Sequence, residues 1–285
     1  MSSPVWFITA ASSGFGKEIA LNALRKGHRV LATGRSLDRL AILKEAGAET
    51  FVLDVTSDLE SIRTTVAEAH AKYGRIDALV NSAGYILEAA IEEASPEESL
   101  DQFNTNVFGA LNVTRAVLPY MRAQKSGAIA FFGSLGSWRG GPAFGLYAAT
   151  KWACSGLAES LRPEVEPFGI TACVIEPGYF RSGFLNPGAR IKSEKRLPEY
   201  EETAVGDIRR LLDKTDNQQP GDVKKGADVI VDVLSRTGVA EGKSIPVRLV
   251  LGSDCHRVIT EKLAQTTKLL DEWKEISYST DYPTN

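Results

Sequence analysis

Short apolar runs alternate with helical patterns along most of this 285-residue chain. Apolar runs predict seven buried strands, at residues 5–9, 29–33, 51–55, 78–80, 128–132, 170–175 and 247–251. Between two of them, in residues 59–73, apolar side chains recur every three or four positions, as in a helix packed on a sheet. Strands that alternate with helices form a parallel sheet, whose ligand lies at the carboxyl ends of the strands. We therefore predict one α/β domain over residues 1–285, with a doubly wound sheet in three α/β/α layers.

The first predicted strand leads into a glycine-rich turn and then a helix. Residues 10–16 read Ala-Ala-Ser-Ser-Gly-Phe-Gly, and residues 17–24 have helical spacing. Gly14 and Gly16 let the backbone approach a pyrophosphate, and a helix N-terminus favours its negative charge. This unit predicts dinucleotide binding on a Rossmann-type sheet.

Arg35 follows the second predicted strand, roughly 20 residues after the glycine loop, where an acidic residue would bind a ribose 2′-hydroxyl. An arginine at this place instead accommodates a 2′-phosphate. The sequence therefore favours NADP(H) over NAD(H). Asp38 comes later and is expected to begin or cap a helix, and an ordinary surface charge is the alternative interpretation of Arg35.

Ser134, Tyr147 and Lys151 form the pattern that most suggests catalysis. Tyr147 and Lys151 are four residues apart in a segment of helical character, so both side chains leave the same face. A phenol has an ordinary pKa near 10, and we expect the Lys151 charge to lower the pKa of Tyr147. Ser134 follows a predicted strand and can face the phenol across a small substrate. Alone, such a Tyr–Lys pair is usually a surface pair worth a few tenths of a kcal/mol.

Together with Asn-Ser-Ala-Gly at residues 81–84, these motifs resemble the short-chain dehydrogenase/reductase family. The segments at residues 219–222 and 246–254 resemble its 17β-hydroxysteroid-dehydrogenase-like branch. The resemblance extends from Val5 to about Leu270, and several separate motifs occur in the order typical of the family.

The glycine loop departs from the family pattern at one position. In the family it usually reads Thr-Gly-x-x-x-Gly-x-Gly; here Thr9, Gly14 and Gly16 match, whereas Ala10 replaces the first glycine. A methyl group at this position restricts the backbone of the turn. We expect it to lower cofactor affinity without abolishing binding.

The resemblance implies roles for individual residues. Ser134, Tyr147 and Lys151 would be catalytic, and Asn106 would support a water that links Lys151 to solvent. The implied NADP(H)-binding residues are Ser12, Gly14, Phe15, Gly16, Arg35, Asp54, Val55, Asn81, Ala83, Gly84, Tyr147, Lys151, Pro177, Gly178, Phe180 and Ser182. In carbonyl reduction, Tyr147 would give its proton to the developing alkoxide while Ser134 hydrogen-bonds the same oxygen.

Apolar and aromatic side chains are expected beside the reacting carbon: Tyr85, Trp138, Phe144, Leu146, Phe180 and Phe184. They predict a bulky, poorly charged carbonyl substrate, although any of them could instead belong to the core. Residues 184–219 mix charged and apolar residues, and we expect them to form a mobile substrate lid of short helices. A passive surface insertion is the alternative. Residues 277–285 are predicted to be a loose polar tail.

The favoured function is therefore an NADPH-dependent carbonyl reductase or alcohol dehydrogenase. A nucleotide-binding protein of the same fold, used for sensing, scaffolding or non-redox chemistry, is the alternative that Ala10 suggests. An epimerase of the wider family would use the same Tyr147 and Lys151, and the sequence does not distinguish it.

Composition and charge narrow the range of partners. The formal net charge of −3 gives no reason to expect nucleic acid or an anionic membrane as a partner. A secretory signal is not expected before the first strand, so a cytoplasmic small-molecule enzyme is predicted. The three cysteines and three histidines are scattered, which argues against a metal site.

By resemblance, a dimer or tetramer would form through the helices that carry Asn106 and Tyr147. The acids at residues 92–98, around Pro96, are expected to stabilise the start of a helix.

Overall fold

The computed structural model describes residues 3–282. In this part of the chain the strands are β1 (Val5–Ile8), β2 (Arg29–Gly34), β3 (Glu49–Val52), β4 (Ala78–Asn81), β5 (Ile86–Glu88), β6 (Gly127–Phe132), β7 (Ile170–Pro177), β8 (Arg190–Lys192) and β9 (Arg248–Leu251). The helices are α1 (Gly14–Arg25), α2 (Ala41–Glu45), α3 (Leu59–Tyr73), α4 (Pro96–Phe103), α5 (Ala110–Gln124), α6 (Gly145–Val165), α7 (Ala204–Thr215), α8 (Val223–Ser235), α9 (Ser253–Glu272) and α10 (Lys274–Tyr278).

Seven of the strands form one parallel sheet in the order β3-β2-β1-β4-β6-β7-β9. The chain winds outward from β1 in both directions, so the order reverses between β1 and β4. A crevice forms at the carboxyl ends of the strands at such a switch point. The predicted doubly wound α/β fold is confirmed.

The two faces of the sheet bury separate cores because side chains alternate along each strand. Trp6 and Ile8 of β1 face the layer that contains α1 and α8. Phe7, between them, faces the layer that contains α3, α5 and α6. Full burial of each such side chain contributes about 2 kcal/mol, so this continuous packing holds the crevice on a rigid base.

One strand lies earlier in the chain than predicted. We predicted a strand at residues 51–55, but β3 ends at Val52. Asp54 instead accepts hydrogen bonds from the Thr56 backbone N–H at 2.9 Å and the Thr56 hydroxyl at 2.7 Å. These bonds form a local turn that competes with a strand.

Residues 184–219 form a second structural layer above the carboxyl ends of the strands. They contain a turn of 3₁₀ helix (Pro198–Tyr200), α7 and the strand β8, which the sequence did not predict. β8 pairs in parallel with β5 in a separate two-stranded sheet.

A buried cluster of charges joins this segment to the region after β5. Arg190 and Arg196 pair with Glu88, and Arg209 pairs with Glu93. Arg209 also donates to Glu201 at 2.7 Å. The acids near residue 93 were expected only to favour the start of a helix, and this interpretation is incomplete. A capping box of Ser95 and Glu98 does begin α4, whereas Glu93 precedes the helix and binds the overlying segment.

The C-terminal segment differs from the prediction at its start. Residues 277 and 278, predicted as loose tail, belong to α10, and residues 279–282 are exposed. The rest of the predicted tail, residues 283–285, lies outside the described residues. Within residues 3–282, no helix combines the length and the apolar character that crossing a bilayer requires.

Candidate active site

Helix α6 holds Tyr147 and Lys151 on one face of the crevice. Both side chains are buried, with 9% and 4% of their surface exposed, and both line the same cleft. The Lys151 Nζ lies 5.5 Å from the centroid of the Tyr147 ring and donates a hydrogen bond to the Phe132 carbonyl at 2.8 Å. The predicted four-residue spacing therefore places the phenol and the ammonium side by side above β6.

Ser134 reaches the same cleft from the turn after β6. Its hydroxyl accepts from the Gly136 N–H at 3.1 Å, and a Cβ on Gly136 would lie 3.6 Å from Ser134 Oγ and 3.5 Å from Tyr147 Cε1, so the two side chains are close neighbours. Ser137 fixes the turn to α6, because its hydroxyl donates to the Lys151 carbonyl at 2.8 Å and accepts from the Ser134 N–H at 3.2 Å. The hydroxyl and the phenol thus converge on one point of the cleft.

Burial dominates the proton affinity of the two groups on α6. It raises the pKa of the Tyr147 phenol, and the hydrogen bond from Ser134 opposes that rise only in part. Burial also lowers the pKa of the Lys151 amine. The expectation that Lys151 lowers the pKa of Tyr147 is wrong for the protein by itself. The free-energy cost of moving a phenolate out of water exceeds the stabilisation that the neighbouring groups give it.

Asn106 lies in a π-helical turn, Asn104–Gly109, between α4 and α5. Its side-chain amide bonds both the N–H and the carbonyl of Tyr85 at 3.0 Å, and it donates to the Thr150 hydroxyl at 3.0 Å. A Cβ on Gly84 would lie 3.2 Å from Asn106 Oδ1 and 3.7 Å from Lys151 Nζ. Asn106 therefore lies close behind Lys151 and holds the chain after β4 in place.

The glycine-rich turn lies opposite α6, at the carboxyl end of β1. Gly14 has a φ of +54°, which favours glycine, and a Cβ on Gly16 would lie 2.6 Å from Ser82 Oγ and 2.9 Å from the Ala10 carbonyl. Ala10 has a φ of +47°. The Ala10 backbone is therefore in the left-handed region that the family's usual glycine occupies freely. The alanine strains the turn locally, which agrees with the expectation that a methyl group restricts the backbone here.

The first turn of α1 fits a phosphate-bearing cofactor. The N-cap residue Ser13 makes no side-chain capping bond, and no acidic residue occupies the first turn. The backbone N–H groups of a helix start are then available to an anion, and Ser13, Gly14, Phe15 and Gly16 all line the cleft. A dinucleotide bound here would reach from this turn toward Tyr147 and Lys151.

The segment after β4 is joined to the glycine-rich turn. The Thr9 hydroxyl accepts from the Ser82 N–H at 3.0 Å and the Ala83 N–H at 3.3 Å, and Ser82 Oγ donates to the Thr9 carbonyl. Asn81 is buried and donates to Thr114 Oγ1 at 3.1 Å. Asn81 thus fixes β4 to α5, and it does not line the cleft itself.

Twelve of the 23 predicted site residues line this single cleft. Those that line it are Gly14, Phe15, Gly16, Gly84, Ser134, Phe144, Tyr147, Lys151, Gly178, Phe180, Ser182 and Phe184. Those outside its lining are Ser12, Arg35, Asp54, Val55, Tyr85, Asn81, Ala83, Asn106, Trp138, Leu146 and Pro177. Arg35 is exposed at the end of β2 and makes no ion pair with any residue in the described part of the chain.

The structure places three of the predicted substrate residues outside the lining of the cleft. The Trp138 indole donates to Glu176 Oε2 at 2.8 Å and lies under the Arg248 guanidinium at 4.5 Å, so the ring faces away from the cleft. Leu146 precedes Tyr147 on α6, and neighbouring side chains of a helix point about 100° apart. Tyr85 faces the acids of α4; burial, Asp101 and Glu98 raise the pKa of its phenol to about 12.

Sequence reasoning missed several lining residues. They are Ser13, Ser82, Ile86, Phe132, Gly133, Leu135, Gly136, Tyr179, Gly183, Leu185, Ala189, Leu212 and Gln219, together with Ala10, whose role was assigned only to the turn. Five residues from 184–219, including Leu185 and Leu212, reach the cleft. A mixed composition gave no sign of which side chains in this segment would face inward.

Comparisons with known proteins agree with this geometry. Residues 4–190 match the family profile of short chain dehydrogenases. Oxidoreductase BOA17 of Botryotinia fuckeliana is 34% identical over 278 residues, which cover 96% of this chain and 97% of that protein. A 3-ketodihydrosphingosine reductase of Bacteroides thetaiotaomicron is 40% identical over 184 residues, covering 65% and 66% of the two chains.

A solved structure extends the similarity to the whole chain. The crystal structure of a short-chain dehydrogenase from Streptomyces avermitilis superposes with a TM-score of 0.88 at 40% identity, and the match covers 99% of this chain and all of that one. Both the sequence profile and the three-dimensional arrangement of the sheet thus agree. The chain belongs to the short-chain dehydrogenase/reductase family.

Proposed function

We propose that this protein is an NADPH-dependent oxidoreductase that reduces a carbonyl of a bulky apolar substrate, or oxidises the corresponding alcohol. The observation that carries the proposal is the convergence of Ser134, Tyr147 and Lys151 on one cleft that also contains the first turn of α1. A hydroxyl, a buried phenol and a buried amine at the end of a dinucleotide-binding crevice suit proton transfer beside a nicotinamide.

Each residue of the proposed trio has a distinct task. When bound, NADPH supplies the hydride. The raised pKa of Tyr147 keeps its phenol protonated at neutral pH, so it can donate that proton to the substrate oxygen. Ser134 hydrogen-bonds the same oxygen and stabilises the charge that develops there. One N–H of Lys151 is held by the Phe132 carbonyl, and the others would bind the ribose hydroxyls of the cofactor.

Arg35 supports NADPH over NADH. It is exposed at the carboxyl end of β2, on the adenosine side of the crevice, without an ion pair in residues 3–282. A guanidinium at this place can bind a 2′-phosphate. We further propose that Asp54 and Val55, in the turn after β3, lie beside the adenine and that Ser182 contacts the carboxamide, as the family resemblance implies.

The walls around the proposed reaction centre support an apolar substrate. Phe144, Phe184, Leu185 and Leu212 line this part of the cleft. The Phe184 ring packs against Tyr147 with a centroid distance of 5.8 Å. One relative is named as a reductase of 3-ketodihydrosphingosine, which supports a carbonyl substrate. We propose that residues 184–219 act as the substrate lid of one single-domain enzyme.

Two further expectations extend the proposal. Residues 219–222 and 246–254 support the 17β-hydroxysteroid-dehydrogenase-like branch. Exposed aromatic side chains, Phe108 before α5 and Trp152 on α6, with 45% of each exposed, support a homo-oligomer that forms through these helices.

The test is NADPH consumption, with NADH in parallel, against bulky aldehydes, ketones and quinones. The wild-type protein should oxidise NADPH with at least one of them, and Tyr147→Phe should lose that activity while still binding NADPH. If the wild type binds NADPH but oxidises it with none of the panel, a non-redox role becomes the favoured function. Epimerisation of a substrate without net NADPH consumption would favour the epimerase alternative.

A further inference from the structure

Gln219 is a buried amide in the cleft that has no assigned task. Only 2% of its surface is exposed, and it lines the same cleft as Ser134 and Tyr147. Its Oε1 atom is buried without a hydrogen-bond partner among the described residues. Because a buried unpaired carbonyl oxygen destabilises a protein, this side chain requires an explanation.

The backbone around Gln219 is held firmly, so the position of the side chain is not accidental. The Gln219 carbonyl accepts from Arg181 Nε at 2.7 Å. Gly221 bonds the backbone of the segment after β7 in both directions: its N–H donates to the Tyr179 carbonyl at 2.9 Å, and its carbonyl accepts from the Arg181 N–H at 3.0 Å. These bonds fix residues 219–221 against the chain that carries Phe180, on the wall of the cleft.

Gln219 is the polar exception in a segment whose other contributions to the cleft are apolar. Gln219 ends the segment 184–219, and the other side chains of this segment in the lining are Phe184, Leu185, Leu212 and Ala189, all of them apolar. A single amide on an otherwise apolar wall can both accept and donate a hydrogen bond. A hydroxyl group offers the matching donor and acceptor.

We propose that Gln219 binds a hydroxyl group of the substrate and makes the enzyme prefer a hydroxylated ketone to its unsubstituted parent. This inference rests on the proposed function and names the substrate more closely. Gln219 is a specificity residue, because the reacting oxygen is bound by Ser134 and Tyr147. The Gln219 oxygen is unpaired in the free protein and stays unpaired beside the parent ketone, whereas a hydroxylated ketone pairs it, so the preference arises from the hydrogen bond gained.

The test compares 1-tetralone with 5-, 6- and 7-hydroxy-1-tetralone, bulky ketones that differ by one hydroxyl. Their dissociation constants for the enzyme saturated with NADP⁺ are measured by calorimetry, which requires no turnover. In the wild type, at least one hydroxytetralone should bind about tenfold more tightly than 1-tetralone. Gln219→Met should remove that preference and leave the affinity for 1-tetralone unchanged.

Gln218→Met is the matched control, since Gln218 is the exposed neighbouring amide. It should leave all four dissociation constants as in the wild type. Equal affinities for the four ketones in the wild type, or an unchanged preference in Gln219→Met, would overturn the proposal. If Gln219→Met binds NADP⁺ itself more weakly than the wild type does, the amide contacts the cofactor, and this result would also overturn the proposal.

Thermal unfolding without ligand separates a binding role from a structural one. Removing an unpaired buried amide should leave the melting temperature of Gln219→Met equal to or above that of the wild type. A fall of several degrees would show that the amide supports the fold, and the proposal would then fail. Failure of the proposed function would appear elsewhere, as the absence of NADPH oxidation with any carbonyl compound.

Discussion

Ala10→Gly is the substitution whose effect follows most directly from the backbone. Ala10 has a φ of +47° in the turn between β1 and α1, and it lines the cleft. An alanine in this left-handed conformation costs about 1–2 kcal/mol relative to a glycine. Glycine in turn makes the unfolded chain more flexible, which costs about 0.4–1 kcal/mol. The net expectation is a gain of about 0.5–1 kcal/mol in the free energy of unfolding.

For a chain of this length such a gain raises the melting temperature by about 1–3 °C. The measurement is equilibrium unfolding in urea, with thermal melting as a second probe. NADP⁺ should bind Ala10→Gly at least as tightly as the wild type, because the substitution removes a methyl from the turn that approaches the pyrophosphate.

Ala11→Gly is the matched control. Ala11 is fully buried in the core beneath α1 and is not among the residues with positive φ, so its replacement by glycine should destabilise the protein by about 1 kcal/mol. If Ala10→Gly lowers stability as much as Ala11→Gly does, the proposed strain at position 10 is refuted.

Three other substitutions test the lid, the turn and the cofactor preference. Arg209→Met should destabilise the protein by about 3–5 kcal/mol at pH 7, because it leaves Glu93 charged and buried, whereas the exposed Arg210→Met should have little effect. Burial alone would raise the pKa of Glu93, but the Leu197 and Ala90 N–H groups and Arg209 lower it overall. The ionised Glu93 carboxylate therefore stabilises the folded protein at pH values above the pKa of Glu93 in the unfolded chain. This stabilisation is lost as the pH falls through the lower pKa that Glu93 has in the folded protein. The loss of unfolding free energy in Arg209→Met, measured in urea, should thus become smaller in acid. A loss that does not depend on pH would contradict the pairing of Arg209 with an ionised Glu93. Gly16→Ala should weaken NADP⁺ binding and lower the melting temperature, because its Cβ would lie 2.9 Å from the Ala10 carbonyl; a variant that matches the wild type in both measurements would contradict this contact. Arg35→Ala should raise the dissociation constant of NADPH about tenfold and leave that of NADH unchanged, and equal effects on both would remove Arg35 as the selector.

Local patterns predicted the fold because the period of apolar residues is a local property. Runs such as residues 128–132 are buried on both faces of a parallel sheet, and their composition reports this directly. The Tyr147–Lys151 pair was predictable for the same reason, because a spacing of four residues fixes a shared helical face. The place of Asn106 behind Lys151 came only from the family resemblance.

Features built from distant residues were not predictable from one sequence. Glu93 and Arg209 are 116 residues apart in the chain, and neither carries a local sign of the partner. Trp138 was assigned to the substrate on its aromatic character, whereas its indole N–H is bound by Glu176, 38 residues away. The sequence shows Gln219 only as part of a family motif. Its burial was not predictable, because it depends on contacts with the segment after β7.

The central claim is that this cleft transfers a hydride from the nicotinamide to a carbonyl carbon beside Tyr147. The most direct measurement supplies NADPH deuterated at C4, with each of the two C4 positions labelled in separate samples, and analyses the alcohol product by mass spectrometry. Deuterium should appear on the carbinol carbon from one labelled position and not from the other, because the bound nicotinamide presents one face to the substrate. Tyr147→Phe should yield no labelled alcohol. A product without deuterium from either cofactor, or full activity of Tyr147→Phe, would contradict the account.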